Sequence, residues 1–260
     1  MSQAIMEIHA VPCLSDNYAY IIASGGSAVV VDPSEAAPVQ AALDKHGLAL
    51  VGIWATHHHH DHVGGIAELV EHHAGLEVVG SAYDAERGRI PSLTRTVADG
   101  ETLWFGSHRA RVIDVPGHTL GAVAYVIEGA VFSGDTLFAA GCGRLFEGTP
   151  EVMVSSLDKL RGLPGETWLY CGHEYTQKNL GFAAQIEPGN PAVAERAKRV
   201  AALRQAGKPS VPSTIEEERA TNPLLRWDAP GVVQKARELG AASGEGVEVF
   251  AAVRRARDGF

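Results

Sequence analysis

Residues 57–62 read His-His-His-His-Asp-His and hold five of the chain's twelve histidines, so side-chain chemistry is concentrated at one point of the fold. The run follows an apolar stretch, Leu48 to Ala55, that reads as a buried strand. It precedes Val63-Gly64-Gly65-Ile66, the way into a helical pattern over Ile66–His73. Imidazoles and a carboxylate at a strand end are the usual ligands of zinc or a similar borderline metal. A purification tag would sit at a terminus, whereas this run lies between two structural elements and belongs to the fold.

The same arrangement recurs along the chain. Strand candidates are Glu7–Val11, Tyr18–Ala23, Ala28–Asp32, Leu48–Thr56, Leu76–Gly80, Arg109–Val115, Val123–Glu128, Ala130–Ser133 and Thr167–Cys171. Helical patterns fall at Ala36–His46, Ile66–His73 and Glu151–Arg161. Strands in groups with interspersed helices point to two sheets packed face to face with helices outside. Three later strands also end on metal-type side chains, through Gly117-His118, Gly134-Asp135 and Gly172-His173. A glycine before each lets the backbone turn sharply into a crowded centre.

His57, His59, Asp61, His62, His118, Asp135 and His173 are more donors than one tetrahedral ion takes, and two ions sharing a carboxylate would fit them. Alternation in an extended stretch lets His57 and His59 reach one ion. Asp61 and His62, nearer the helix start, can serve the other. Asp32, ending the run Ala28–Asp32, reads as a structural hydrogen-bonding residue beside this loop.

After about Tyr175 the chain becomes rich in Ala, Glu and Arg, with helical stretches near Pro191–Ala206, Thr214–Ala220, Pro230–Leu239 and Val247–Arg257. Pro188-Gly189-Asn190-Pro191 and Lys208-Pro209-Ser210-Val211-Pro212 break them. A boundary is expected near residues 174–178, giving domains of residues 1–174 and 175–260. A net charge of −9 without a basic tract argues against nucleic acid or an anionic membrane as partner. No apolar run reaches the roughly 18 residues that a membrane span needs. The N-terminal segment has no basic region, and Glu7 interrupts it, so it does not read as a signal peptide. Cys13, Cys142 and Cys171 form no paired framework, and a reducing cytoplasm is expected.

Thr56–His62 matches the T-H-x-H-x-D-H motif of the metallo-β-lactamase superfamily, and His118, Asp135 and His173 follow in the order of its remaining ligands. Leu14–Tyr18, Gly134–Phe138, Gly141–Arg144, Glu147–Thr149, Cys171–Thr176, Thr221-Asn222-Pro223 and Val253–Asp258 resemble glyoxalase II, the hydroxyacylglutathione hydrolases. The resemblance runs nearly end to end. It implies an α+β fold, a four-layer αββα sandwich followed by an all-α, substrate-binding C-terminal domain. It implies that His57, His59 and His118 hold one ion and that Asp61, His62 and His173 hold the second, with Asp135 bridging. The implied ions are two divalent metals per chain, zinc foremost, with iron or manganese as alternatives. Asp61 and Asp135 would then be the catalytic carboxylates. The implied substrate is a glutathione thioester, chiefly S-D-lactoylglutathione, cleaved to D-lactate and glutathione in methylglyoxal detoxification by a monomeric enzyme. Residues matching Arg144, Phe146, His173, Tyr175, Arg254 and Arg257 would bind it. Arg144 and Arg257 replace a lysine of some relatives and keep the charge. Phe146 stands where some relatives have tyrosine and lacks the hydroxyl.

The chemistry stands on its own as well. Two ions about 3.5–4 Å apart lower the pKa of a shared water and polarise an acyl oxygen. Asp61 can orient the attacking hydroxide, and a thiolate leaves without a strong general acid. Cys142, in a Gly-Cys-Gly loop, is the other candidate nucleophile, but no fitting base accompanies it. A persulfide dioxygenase, a lactonase or a β-lactamase would use the same fold. The helical C-terminal region and its arginines argue against them.

Overall fold

The computed structural model describes residues 5–260; the first four residues of the N-terminal segment read above lie outside the described residues. Two compact units form. One holds the described residues to Asp114 with Gly121–Gly134, and the other Val115–Leu120 with Asp135–Phe260.

The first unit contains strands β1 (Glu7–Cys13), β2 (Asn17–Ser24), β3 (Ser27–Val31), β4 (Ala49–Trp54), β5 (Glu77–Ser81), β6 (Arg95–Val97), β7 (Thr102–Phe105), β8 (His108–Asp114), β9 (Val123–Ile127) and β10 (Ala130–Gly134). Its helices are α1 (Ala36–His46), α2 (His60–Val63), α3 (Ile66–His72) and α4 (Ala82–Ala85). Strands β1 to β6 form one sheet in sequence order, antiparallel through β3 and parallel from β3 to β6. The parallel joins need crossovers, and α1 to α4 lie within them. Strands β7 to β10 form an antiparallel meander.

Side-chain alternation explains why the central strands are apolar on both faces. Ala19, Ile21 and Ala23 of β2 join Ile53 of β4 in a core with Val39 and Leu43 of α1 and Ile66 and Leu69 of α3. Burying each large aliphatic side chain there stabilises by roughly 1.5–3 kcal/mol. Tyr20 and Trp54 point to the opposite face. Their rings meet Phe132 and Tyr125 of the meander at 5.5 and 5.2 Å. Two sheets thus pack face to face with helices outside one of them, the α+β sandwich expected from the strand pattern.

The second unit contains β11 (Leu137–Phe138), β12 (Gly141–Cys142), α5 (Pro150–Arg161), β13 (Trp168–Cys171), α6 (Thr176–Ile186), α7 (Pro191–Gln205), β14 (Ser213–Thr214), α8 (Ile215–Thr221), α9 (Pro230–Glu238) and α10 (Gly246–Asp258). Helices α7 and α8 begin where capping chemistry puts them. Asn190 accepts from Ala192 N and Val193 N, and Thr214 accepts from Glu217 N. Ala140 of the hairpin turn, Leu180 and Ala183 of α6 and Val193 and Val200 of α7 form a core cluster. Helix α6 and the β11–β12 hairpin do not stand out in the sequence pattern. Among the described residues, no helix is long and apolar enough to cross a membrane.

Candidate metal centre

In the first unit, the metal-type side chains hang from the ends of β3 and β4. Asp32, with φ of 49°, turns its carboxylate across to the next strand end. Its Oδ1 accepts from Thr56 N at 2.7 Å, and its Oδ2 accepts from Thr56 Oγ1 at 2.6 Å. Oδ2 also lies 2.9 Å from His62 Nδ1. A carboxylate only accepts, so His62 carries its proton on Nδ1 and presents the lone pair of Nε2. The same reasoning runs one step further. Thr56 Oγ1 gives its hydrogen to Asp32, so it accepts from His57 Nδ1 at 3.0 Å. His57 therefore presents Nε2, which lies 3.2 Å from His59 Nδ1. Two ligands about 2.0–2.1 Å from a tetrahedral ion are roughly 3.3 Å apart, so this spacing suits a shared cation. Asn17 Nδ2 donates to Asp61 O at 2.9 Å and to Asp61 Oδ2 at 3.1 Å, fixing the carboxylate at the start of α2. His58, between the two ligand-type histidines, turns its Nδ1 to the buried carboxylate of Asp84 at 3.2 Å.

The second unit gathers His118, Asp135 and His173, all buried. His118 Nδ1 donates to Arg144 O at 2.9 Å, which leaves Nε2 as its lone-pair atom. That atom is 3.5 Å from Asp135 Oδ2, and His173 Nε2 is 3.2 Å from the same oxygen. A carboxylate oxygen set between two imidazole nitrogens at these separations fits a divalent cation and a bridging role. Gly134 makes the turn into Asp135 with φ of 49°, and a Cβ there would meet Thr56 Oγ1 at 2.2 Å, so no other residue fits. Tyr175 stacks on His173 with ring centroids 4.7 Å apart, and Phe138 packs edge-on against both rings.

The residues expected to bind substrate differ in their surroundings. Arg144, Phe146, Arg254 and Asp258 line a cleft of about 470 Å³ in the second unit. Phe146 is 63% exposed, its ring edge-on to His118 at 5.2 Å. Arg144 is exposed and pairs with Asp258 at 3.5 Å. Arg254 is 5% exposed; its Nη1 donates to Cys142 O at 2.7 Å and its Nη2 to Asp258 Oδ1 at 2.8 Å. Its Nε is buried with no hydrogen-bond partner among the described residues. Arg257 turns to Asn179, donating Nη2–H to Oδ1 at 3.0 Å. Cys142 is buried, and burial pushes its thiol pKa up against the opposing charge of Arg254, so it is a poor thiolate nucleophile. Asn17, Asn179 and Asn222 hold site residues or the hairpin but offer no ligand-type signal. Asn17 and Asn222 do fall in segments that carry the family resemblance.

Residues 14–173 match the model of the metallo-beta-lactamase superfamily, and residues 174–260 match that of the hydroxyacylglutathione hydrolase C-terminus. A hydroxyacylglutathione hydrolase of Synechococcus sp. (strain JA-2-3B'a(2-13)) is 51% identical over 261 residues, covering 98% of this chain and 100% of the relative. Among solved structures, ETHE1 from Myxococcus xanthus superposes with a TM-score of 0.66 at 22% identity, over 96% of this chain and 90% of that one. TTHA1623, solved in a di-iron-bound form, gives a TM-score of 0.60 at 27% identity, over 82% of this chain and 97% of that one. With both family models matched in order and half its residues shared with a full-length relative, the chain belongs to the hydroxyacylglutathione hydrolases, glyoxalase II, of the metallo-β-lactamase superfamily.

Proposed function

We propose that this hydrolase cleaves glutathione thioesters, chiefly S-D-lactoylglutathione, at a centre of two divalent ions. In this reading His57, His59 and His118 would hold one ion and Asp61, His62 and His173 the other, with Asp135 as a ligand common to both. When bound, the ions lower the pKa of water towards neutrality and stabilise charge developing on the acyl oxygen.

The protein's own groups do the rest. Asp32 holds His62 with Nε2 forward, Thr56 does the same for His57, and the Arg144 carbonyl does it for His118. Asp61, held by Asn17, accepts a hydrogen bond from the attacking water. Arg144 and Arg254 receive the carboxylates of the peptide part in the 470 Å³ cleft, and Phe146 gives it an apolar wall. His173, Tyr175 and Arg257 complete the substrate set. Water adds to the acyl carbon, and the C–S bond breaks to leave a thiolate. A thiol with a pKa near 8.5 needs little help to leave.

The observation that carries the reading is Asp135 Oδ2 within 3.5 Å of two buried imidazole nitrogens, which suits a bridging carboxylate. Zinc is the metal proposed, since the donors are histidine and aspartate; the di-iron form of TTHA1623 supports iron as the second choice. The C-terminal family match favours this reaction over the dioxygenase and lactonase readings. We assign residues 175–260 as the substrate-binding domain, which the start of that match at residue 174 supports. The same reading takes the enzyme as monomeric and cytoplasmic.

Elemental analysis and turnover of two variants test the assignment. Asp135→Ala should lose tight metal and cut activity by roughly a hundredfold or more. His58→Ala should keep activity within a few fold, because His58 faces Asp84. Equal losses in two folded variants would contradict the ligand set.

A further inference from the structure

The hairpin between Asp135 and Arg144 is gripped by side chains of which only Arg254 has a direct role in the reading above. Strands β11 and β12 pair Leu137 with Cys142 and Phe138 with Gly141, turning through Ala139 and Ala140. Asn179 of α6 donates Nδ2–H to Ala139 O at 3.0 Å. Asn222, at the end of α8, donates to Gly141 O at 3.0 Å. Arg254 of α10 donates to Cys142 O. The backbone N–H of Ala140 donates to Glu218 Oε2 at 2.7 Å. Ala140 has φ of 58°, in the left-handed region that a residue with a Cβ seldom occupies. Such a conformation persists where the surroundings over-determine it.

The gripping groups are themselves fixed. Glu218 and Asn222 are fully buried. Glu218 Oε1 accepts from Arg196 Nη2 and from Ser213 Oγ, both at 2.6 Å, and Oε2 accepts from Asn222 Nδ2 at 3.1 Å. Asn222 Oδ1 accepts from Leu224 N at 3.0 Å, so its amide points one way only. The buried carboxylate faces a buried guanidinium, and a connected network of this kind specifies one geometry.

Both ends of the hairpin lead to the metal-type side chains. Gly143 N donates to Thr136 O at 3.3 Å, closing the ladder directly after Asp135. Arg144 O, just beyond, fixes the ring of His118. A shift of the hairpin therefore moves the carboxylate and also the acceptor that sets the histidine's tautomer.

We propose that Asn222, Asn179 and Glu218 are positioning residues which set the metal centre through this hairpin, so that the C-terminal helices tune metal retention and turnover. The inference rests on the reading that Asp135 and His118 are ligands. Groups that orient a ligand typically change metal affinity or activity by about 10–100-fold when removed. One relay step away, the lower end applies.

The test uses zinc-loaded, full-length enzyme. The rate of zinc loss to a chelator, kcat and KM for S-D-lactoylglutathione, and the Tm of the metal-free protein are compared for wild type, Asn222→Ala, Asn179→Ala and Asp135→Ala. Asn222→Ala should lose zinc roughly tenfold faster and show kcat down roughly tenfold, with KM within about twofold. Asn179→Ala, read by zinc loss alone because it also frees Arg257, should move the same way and serves if Asn222→Ala does not fold. A lowered Tm with wild-type zinc loss and kcat in the folded variants would overturn the inference. Asp135→Ala separates the two claims. If it loses zinc while the asparagine variants do not, the ligand reading stands and this inference falls. If it keeps both ions, both fall.

Discussion

Asp32, Thr56 and the Arg144 carbonyl act on ring protons rather than on substrate. Each takes the Nδ1 hydrogen of a histidine and so decides which nitrogen carries the lone pair. The arginines differ among themselves in a way their spacing conceals. Arg254 and Arg257 are three apart on α10, yet one is tied to Cys142 O and the other to Asn179. Arg144 is the cleaner probe of substrate binding, since it is exposed and its guanidinium pairs with the exposed Asp258. A solvent-open charge contact contributes less than the ~1.5–3 kcal/mol of a sheltered one. Steady-state kinetics of Arg144→Ala should show KM for S-D-lactoylglutathione raised about three- to tenfold, kcat little changed, and a small thioester without the peptide unaffected. An equal loss on both substrates would remove Arg144 from the substrate set. The metal-type side chains were legible because each follows an apolar strand. The asparagines and Glu218 were not, because a buried amide or carboxylate looks like any surface polar residue until its partners are known.

At the scale of elements, the strand candidates read from the pattern all form strands, whereas β6, β7 and β14 are too short or too polar to stand out in it. β4 ends at Trp54, two residues short of the expected strand end at Thr56, because Thr56 N turns to Asp32 instead of the ladder. Helix α6 was hidden by an uncapped start at Tyr175 and by Gly181 within it. The β11–β12 hairpin was hidden because its strands are two residues each and its turn is Ala-Ala rather than a glycine pair. The packing of the two sheets offers a test of its own. Tyr125 of β9 is buried and donates to Ala55 O at 2.8 Å. Burial, and then the charge of Asp32, raises its phenol pKa well above 10. An unfolded tyrosine ionises near pH 10, so this group's contribution is complete below that pH and is lost as pH rises above it. Tyr125→Phe should cost about 1 kcal/mol at neutral pH through the lost hydrogen bond. Its urea midpoint should then fall less steeply than that of wild type above pH 10. Parallel alkaline profiles would show that the phenol does not resist ionisation in the fold.

For the molecule as a whole, charge and ligand placement frame the function. A net charge of −9 repels an anionic thioester at long range, and Arg144, Arg254 and Arg255, set with Asp258 around one cleft, supply local positive charge. Each proposed ligand follows the end of a strand, where a rigid sheet fixes its backbone. The most direct measurement is stepwise zinc addition to chelator-stripped enzyme, with hydrolysis of S-D-lactoylglutathione followed at each step. Activity should climb until about two equivalents per chain are bound and then level off. A plateau at one equivalent, or no thioester turnover at any loading, would contradict a binuclear thioesterase.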